Sequence, residues 1–140
     1  MTGCIFCDIV GGTALASIIY RDDLCIAIMD VHQPTLGKLL VIPNTHASYL
    51  ADLPAETGAQ MFRVAQTLAA ALRRSGLRCE GVNLFLSDGR AAGQDVFHVH
   101  LHVLPRFADD GIKLRFGQAH EIYPARSELD RLAEQIRHGL

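Results

Sequence analysis

Two apolar runs, residues 15–20 and 24–29, flank the turn Tyr20-Arg21-Asp22-Asp23 and predict a pair of strands. Residues 38–42 predict a third strand, ended by Pro43, whose nitrogen cannot donate to a ladder. Over residues 53–75 the period changes. Met61, Ala65, Leu68 and Leu72 fall on one stripe with Arg63, Arg73 and Arg74 off it, the spacing of an amphipathic helix. Pro54 near its start and Gly76 beyond its end agree with helix punctuation. Residues 82–86 and 97–104 predict the fourth and fifth strands, on either side of the turn-rich Ser87-Asp88-Gly89-Arg90-Ala91-Ala92-Gly93. A polar stretch, 109–118, predicts a loop, and 127–138 a short closing helix. Strands in succession around one long inserted helix predict an α+β fold on an antiparallel sheet.

Composition narrows the class without choosing a chemistry. The 140 residues suit one domain, and no repeat or low-complexity segment divides them. With 49% hydrophobic and 20% charged residues the chain has the balance of a soluble globular protein. A net charge of -2 and the lack of a basic stripe argue against nucleic acid or a membrane surface as partner. The N-terminus shows no basic region followed by an apolar core, so a cytoplasmic location with reduced thiols is expected. Cys4, Cys7, Cys25 and Cys79 are then metal ligands or core residues before they are disulfides.

The informative segment is His98-Val99-His100-Leu101-His102-Val103-Leu104. In an extended chain the three histidines share one face and the apolar residues the other, so the apolar face seeks the core. Three imidazoles at alternate positions of so apolar a segment fit a solvated face badly. They can ligate a catalytic metal directly. Alternatively, one imidazole attacks while its neighbours stabilise the developing charge. The small-residue loop Gly89-Arg90-Ala91-Ala92-Gly93-Gln94 favours the second, because its backbone can approach a phosphate closely.

Gly93-Gln94-Asp95-Val96-Phe97-His98-Val99-His100-Leu101-His102-Val103-Leu104-Pro105-Arg106 resembles the signature of the histidine-triad (HIT) superfamily. Cys4-Ile5-Phe6-Cys7 resembles the opening of many bacterial members, and Leu40-Val41-Ile42-Pro43-Asn44-Thr45-His46 their third-strand exit. The likeness spans residues 4–106 and is nearest to the Hint-like bacterial branch; residues 107–140 form a C-terminal extension. It implies a five-stranded antiparallel sheet with one long helix, paired into a homodimer. It implies that His100 attacks an α-phosphorus, giving a nucleotidyl-imidazole that water hydrolyses. His98 and His102 complete the triad, and His102 with N–H groups around Gln94, Asp95 and Val96 would stabilise the pentacoordinate phosphorus. Asp30 aligns with an acid that binds ribose hydroxyls, a task suited to a carboxylate's acceptors, although a turn-forming role is an alternative. Ile5, Phe6, Ile28 and Val31 would enclose the base of a purine nucleotide such as AMP or an adenylated small molecule.

Cys4-x-x-Cys7 alone leaves a redox pair, a zinc half-site or two core thiols open. Related sequences with this pair complete a structural zinc site at positions matching His46 and His98. Three nucleotide-binding positions depart from the family pattern: Lys38 replaces a histidine, Ser87 an asparagine of the phosphate or ribose region, and Asp95 a serine of Hint-type members. Lys38 shares its strand side with Leu40 and Ile42, which would place a fixed cation near His100. The expected activity is nucleotide hydrolysis, a purine nucleoside phosphoramidase being one form. The alternatives are a dinucleoside polyphosphate hydrolase, a nucleotidyl transferase, and a nucleotide-binding regulatory module with incidental turnover.

Overall fold

The computed structural model describes residues 3–114 and 122–140. It divides into two compact units, the first ending at Asp110 and the second beginning at Gly111. The first holds α1 (Ile5–Val10), β1 (Ile18–Arg21), β2 (Cys25–Met29), β3 (Leu39–Pro43), α2 (Ala55–Arg74), β4 (Gly81–Phe85) and β5 (Leu101–Arg106). The five strands form an antiparallel sheet in the order β1-β2-β3-β5-β4.

The sheet is covered on both faces, which explains why β2 and β3 are continuous apolar runs rather than alternating ones. Cys25, Ala27, Leu39 and Val41 point to one face, where they pack against Met61, Val64, Ala65, Leu68 and Leu72 of α2. Ile26, Ile28, Leu40 and Ile42 point to the other and meet Phe6 and Ile9 of α1. The α2 stripe is therefore the predicted one, with Val64 and Thr57 added to it. Ser75 caps the helix and Gly76 follows at φ 84°, a left-handed turn that ends it.

Several boundaries shift, each for a local reason. The helix α1 is absent from the expected elements because six residues are too few to show a helical period. Pro43 closes β3 from within the ladder, opposite Cys25, rather than lying beyond it. Pro105 likewise sits inside β5, buried but beyond the last β3 pair of Leu39 and Val103, where the ladder to β3 asks no N–H of it and Thr35 Oγ1 donates to its carbonyl at 2.6 Å. The fifth strand accordingly begins at Leu101, not 97, and His98 and His100 precede the ladder. The chain bends at residues 96–98, yet the facing of the segment is kept, because the Val99 N–H donates to Ala47 O at 2.8 Å and Val99 remains buried with Val103 in the α2-side core. Alternation thus survives without a strand partner.

Of the predicted 109–118 loop, residues 109–110 end the first unit in a turn, residues 111–114 of the second form no regular element, and residues 115–118 lie outside the described residues. The closing helix α3 spans Arg126–Arg137, one residue earlier at each end than expected. None of its residues is buried, and Glu128–Arg131 and Glu134–Arg137 pair along its surface. Among the described residues, no helix is long and apolar enough to cross a membrane.

One polar knot joins the β1–β2 turn to α2. Asp22 Oδ1 accepts from the N–H groups of Leu24 and Cys25, both at 2.8 Å. Its Oδ2 accepts from Tyr20 Oη at 2.7 Å and Gln60 Nε2 at 2.8 Å. Burial alone would raise the Asp22 carboxyl, but these donors outweigh it and hold the group well below the usual carboxylate range. The same charge, added to burial, pushes the Cys25 thiol up to about 12, so this cysteine stays protonated. Asp22→Ala should cost about 1.5–3 kcal/mol in urea unfolding at neutral pH, through loss of hydrogen bonds to a charged acceptor. Because the folded-state value is depressed, this contribution is full above the unfolded value of about 4 and fades as pH falls below it. The gap between wild type and variant should therefore narrow in acid; a constant gap would assign the loss to packing instead.

Candidate active site and metal centre

The loop between β2 and β3 is organised by one side chain. Gln33 Nε2 donates to the carbonyls of Asp30 and Lys38, and its Oε1 accepts from the N–H groups of Gly37 and Lys38. Every capacity of that amide is used. Gly37 turns the chain at φ 109°, and a Cβ there would lie 3.1 Å from Leu77 Cδ1 and 3.2 Å from Leu72 Cδ2. The loop brings Lys38 Nζ to 2.7 Å from Asp30 Oδ2, with both side chains largely buried. Asp30 Oδ1 also accepts from the His32 N–H at 2.9 Å. Burial works against the Asp30 carboxylate, and the Lys38 contact overcomes it, leaving the group below its ordinary value.

Lys38 and Asp30 line a cavity of about 790 Å³ together with Phe6, Ile28, Val31, Asp95, Val96, His100 and His102. That volume suits a nucleotide-sized ligand. Ile5 belongs to the lining as well. Lys38 is only 7% exposed, so it does not reach out to solvent. Three of the proposed ligand-binding or catalytic residues do not line this cavity: Ser87, Gln94 and His98. Gln94 is instead a brace: its Oε1 accepts from Gly89 N–H at 2.7 Å, and its Nε2 donates to Ser48 O and Val96 O. Of the loop amides, Gln94 N–H donates to Gly89 O and Val96 N–H to Asp95 Oδ1.

The three histidines occupy three different settings. His98 is fully buried, and its Nε2 lies 2.8 Å from Pro43 O. A carbonyl can only accept, so Nε2 carries the proton and Nδ1 presents a lone pair. Burial, the largest cause, favours the neutral ring. His100 makes the opposite choice. Its Nδ1 lies 2.8 Å from His98 O and must donate, which leaves the Nε2 lone pair on the cavity side, 3.8 Å from Asp95 Oδ1. Phe6 meets its ring edge-on, with centroids 5.0 Å apart. An imidazole with one nitrogen tied to backbone and the other unprotonated can act as a nucleophile or a general base.

His102 faces the cavity from β5, paired in register with Leu40 and Phe85. The Phe85 ring stacks on it at 4.2 Å and 7°. Sequence reasoning missed Phe85, whose only signal was its place in the fourth strand. Burial, then the neighbouring His100 and the Lys38 ammonium, push His102 down to about 4, with Asp30 and Asp95 opposing. Among the described residues, nothing offers its buried Nδ1 a hydrogen bond.

On the far side of His98 stands a quartet. Cys4, Cys7, His46 and His98 each offer a ligand atom, and the four atoms lie within 4.8 Å of one another. His46 Nδ1 is 3.2 Å from His98 Nδ1; Cys4 Sγ and Cys7 Sγ are 3.5 and 3.6 Å from it, and Cys7 Sγ is 3.3 Å from His46 Nδ1. A tetrahedral ion with metal–nitrogen bonds of about 2.0 Å and metal–sulfur bonds of about 2.3 Å separates its ligand atoms by about 3.3–3.8 Å. The spacing fits, and the four residues can hold one metal ion with no open position. Cys25 and Cys79 stand apart from this group.

The sheet and these two centres define a class: an α+β protein that sets an oriented imidazole in a ligand cavity and a closed Cys2His2 quartet behind it. The chain belongs to the HIT family, since the HIT domain matches residues 12–109. A HIT-like protein of Mycobacterium tuberculosis is 39% identical over 132 residues, covering 94% of this chain and 91% of its own length. The solved structure of a zinc-bound histidine triad family protein from Mycobacterium smegmatis is 42% identical, with a TM-score of 0.77 over 99% of this chain and 98% of that one. Adenylylsulfatase HINT3 of Arabidopsis thaliana is 33% identical over 103 residues, 74% of this chain and 52% of its own length.

Protein purified without added metal should contain one tightly held divalent ion per chain, and chelation should lower its melting temperature because ligation contributes folding free energy. Metal content near zero with melting indifferent to chelators would remove the centre. A second prediction concerns His102. In the unfolded chain its value is about 6.5, so the folded protein loses stability as pH falls from about 6.5 toward 4. Lys38→Met removes one of the charges that oppose the imidazolium, so the His102 titration followed by NMR should move to higher pH. An unmoved titration would separate Lys38 from this ring.

Proposed function

We propose that this chain hydrolyses nucleotides at the α-phosphorus, with His100 as nucleophile, releasing a nucleoside monophosphate such as AMP. The observation that carries this reading is the fixed tautomer of His100, whose Nδ1–H is held by His98 O while Nε2 faces the cavity. In the first step Nε2 bonds to phosphorus as the bond to the leaving group breaks, and that bond's electron pair stays with the leaving group, which takes a proton from water. In the second, water attacks phosphorus and loses a proton, and the P–Nε2 electron pair returns to the imidazole. His102 and the Lys38 ammonium line the same cavity and supply polarity toward the phosphoryl oxygens. Phe6, Ile28 and Val31 offer the apolar surface for a purine base, and Asp30 a carboxylate for the ribose hydroxyls. Asp30 already accepts two hydrogen bonds, but a carboxylate has about four acceptor positions, which leaves room for a sugar.

His98 is read as a positioning residue rather than a catalytic one, because its ring is committed on both sides and only its carbonyl reaches His100. Zinc is the proposed ion of the quartet, where it would be structural and would pin the α1 end of the chain to the histidine segment. The name of the Arabidopsis relative supports adenylyl transfer to water as a chemistry within the family. Cytoplasmic activity as a homodimer belongs to the same reading.

Brief mixing with an adenylated substrate should give an acid-labile adduct on His100, seen by intact mass spectrometry. His100→Ala should lose at least about 10³-fold in turnover while still binding AMP. Turnover within a few-fold of wild type in that variant would end the nucleophile assignment.

A further inference from the structure

A second cavity, of about 520 Å³, adjoins the first. Ile5, Asp95 and Val96 line both and form the divide, whereas His46, Ser48 and Phe97 belong to the second alone. The His100 Nε2 lies beside that divide, 3.8 Å from Asp95 Oδ1. If the nucleoside fills the first cavity, the departing substituent on phosphorus needs other open space next to Nε2. Among the described residues, the second cavity shares its walls with that position.

Among the described residues of its lining, Asp95 carries the only carboxylate and there is no Lys or Arg; the Asp95 side chain is 84% exposed. The Arg90 guanidinium stands over the Phe97 ring, 5.8 Å from its centroid, and is not part of the lining. A sulfate, polyphosphate or carboxylate placed here meets like charge across a few ångströms, and an ammonium meets the opposite.

We propose that the second cavity receives the leaving group and that Asp95 selects leaving groups bearing a cation, so that the preferred substrates are nucleoside phosphoramidates of positively charged amines. This rests on the reading of His100 as nucleophile. In such a substrate the P–N bond breaks, its electron pair stays on nitrogen, and the amine takes a proton from water.

The test uses two phosphoramidates of AMP with the same P–N bond and nearly the same length, one built on 1,4-diaminobutane and one on 4-aminobutanoate. Their dissociation constants are measured on the unreactive His100→Ala protein, with and without Asp95→Asn. The ammonium compound should bind at least about fivefold more tightly than the carboxylate, the scale of an exposed charge pair. Asp95→Asn should bring the ratio to within about twofold, and raising salt should compress it. A ratio at or below one in the parent protein, or one that Asp95→Asn leaves unchanged, overturns the proposal. Turnover of the uncharged butylamine conjugate by the wild-type chain is read separately: its absence would sink the hydrolase reading while the binding ratio still decides the role of Asp95.

Discussion

His98 commits both ring nitrogens and its carbonyl to connections, and the rest of the site is arranged around them. Its Nε2–H goes to Pro43 O at the end of β3, its Nδ1 lone pair to the Cys4, Cys7 and His46 group, and its carbonyl to His100. Each connection fixes the next. With Nε2 protonated, Nδ1 is free to be a ligand, and the ring cannot swing without leaving a buried polar atom unpaired, at a cost of about 1–3 kcal/mol. With the ring fixed, the backbone at residue 98 is fixed, and so is the carbonyl that sets the tautomer of His100. A residue able to ligate a metal therefore sets the tautomer of an imidazole two residues away without lining its cavity.

The sheet supports this by separating two kinds of interior. On the α2 side the core is aliphatic and sulfur-bearing, with Val99 and Val103 anchoring the histidine segment from behind. On the α1 side, aliphatic packing around Phe6 and Ile9 gives way to buried polar groups: Lys38, His100 and the Asp30 carboxylate. A buried lysine is costly unless paired. Here Asp30 supplies the countercharge, and the fully bonded Gln33 amide holds the two ends of the loop at the spacing that the pair requires. The polarity of the cavity is thus stabilised by groups that do not face it.

Legibility from sequence followed the reach of each signal. The α2 stripe and the alternation of His98, His100 and His102 against Val99, Leu101 and Val103 were visible because short-range period reports which face is buried. The same period could not say where the ladder stops, so it extended β5 across residues whose pairing ends at Leu101. Resemblance brought Cys4, Cys7, His46 and His98 together across 94 positions, and the structure places them within ligating distance. Gln94 shows the converse. Its place beside the motif suggested ligand contact, but its hydrogen bonds run to Gly89, Ser48 and Val96, a role that depends on loops distant in sequence. Phe85 and Gln33 carried no local pattern at all; stacking and loop bracing arise only once β4 and the β2–β3 connection are in place.

Lys38 shows how one substitution redistributes a site. A histidine there would offer a flat ring, whereas Lys38 sets an ammonium 2.7 Å from the Asp30 carboxylate. Its charge reaches His102, whose imidazolium it opposes, and the Phe85 ring lies under it at 5.8 Å to the centroid. The cavity therefore contains an ammonium paired with a carboxylate, the His102 ring held neutral by burial, and the His100 ring with Nε2 turned toward the open space. Under the proposed reading these are complementary parts for phosphoryl chemistry: a nucleophilic nitrogen beside a positive charge. Asp95 lines the same cavity, 3.8 Å from His100 Nε2, and adds a second carboxylate to it. Under the proposed reading, Lys38 and Asp95 bring opposite charges to one space, the ammonium suited to a phosphate and the Asp95 carboxylate to a cationic departing group.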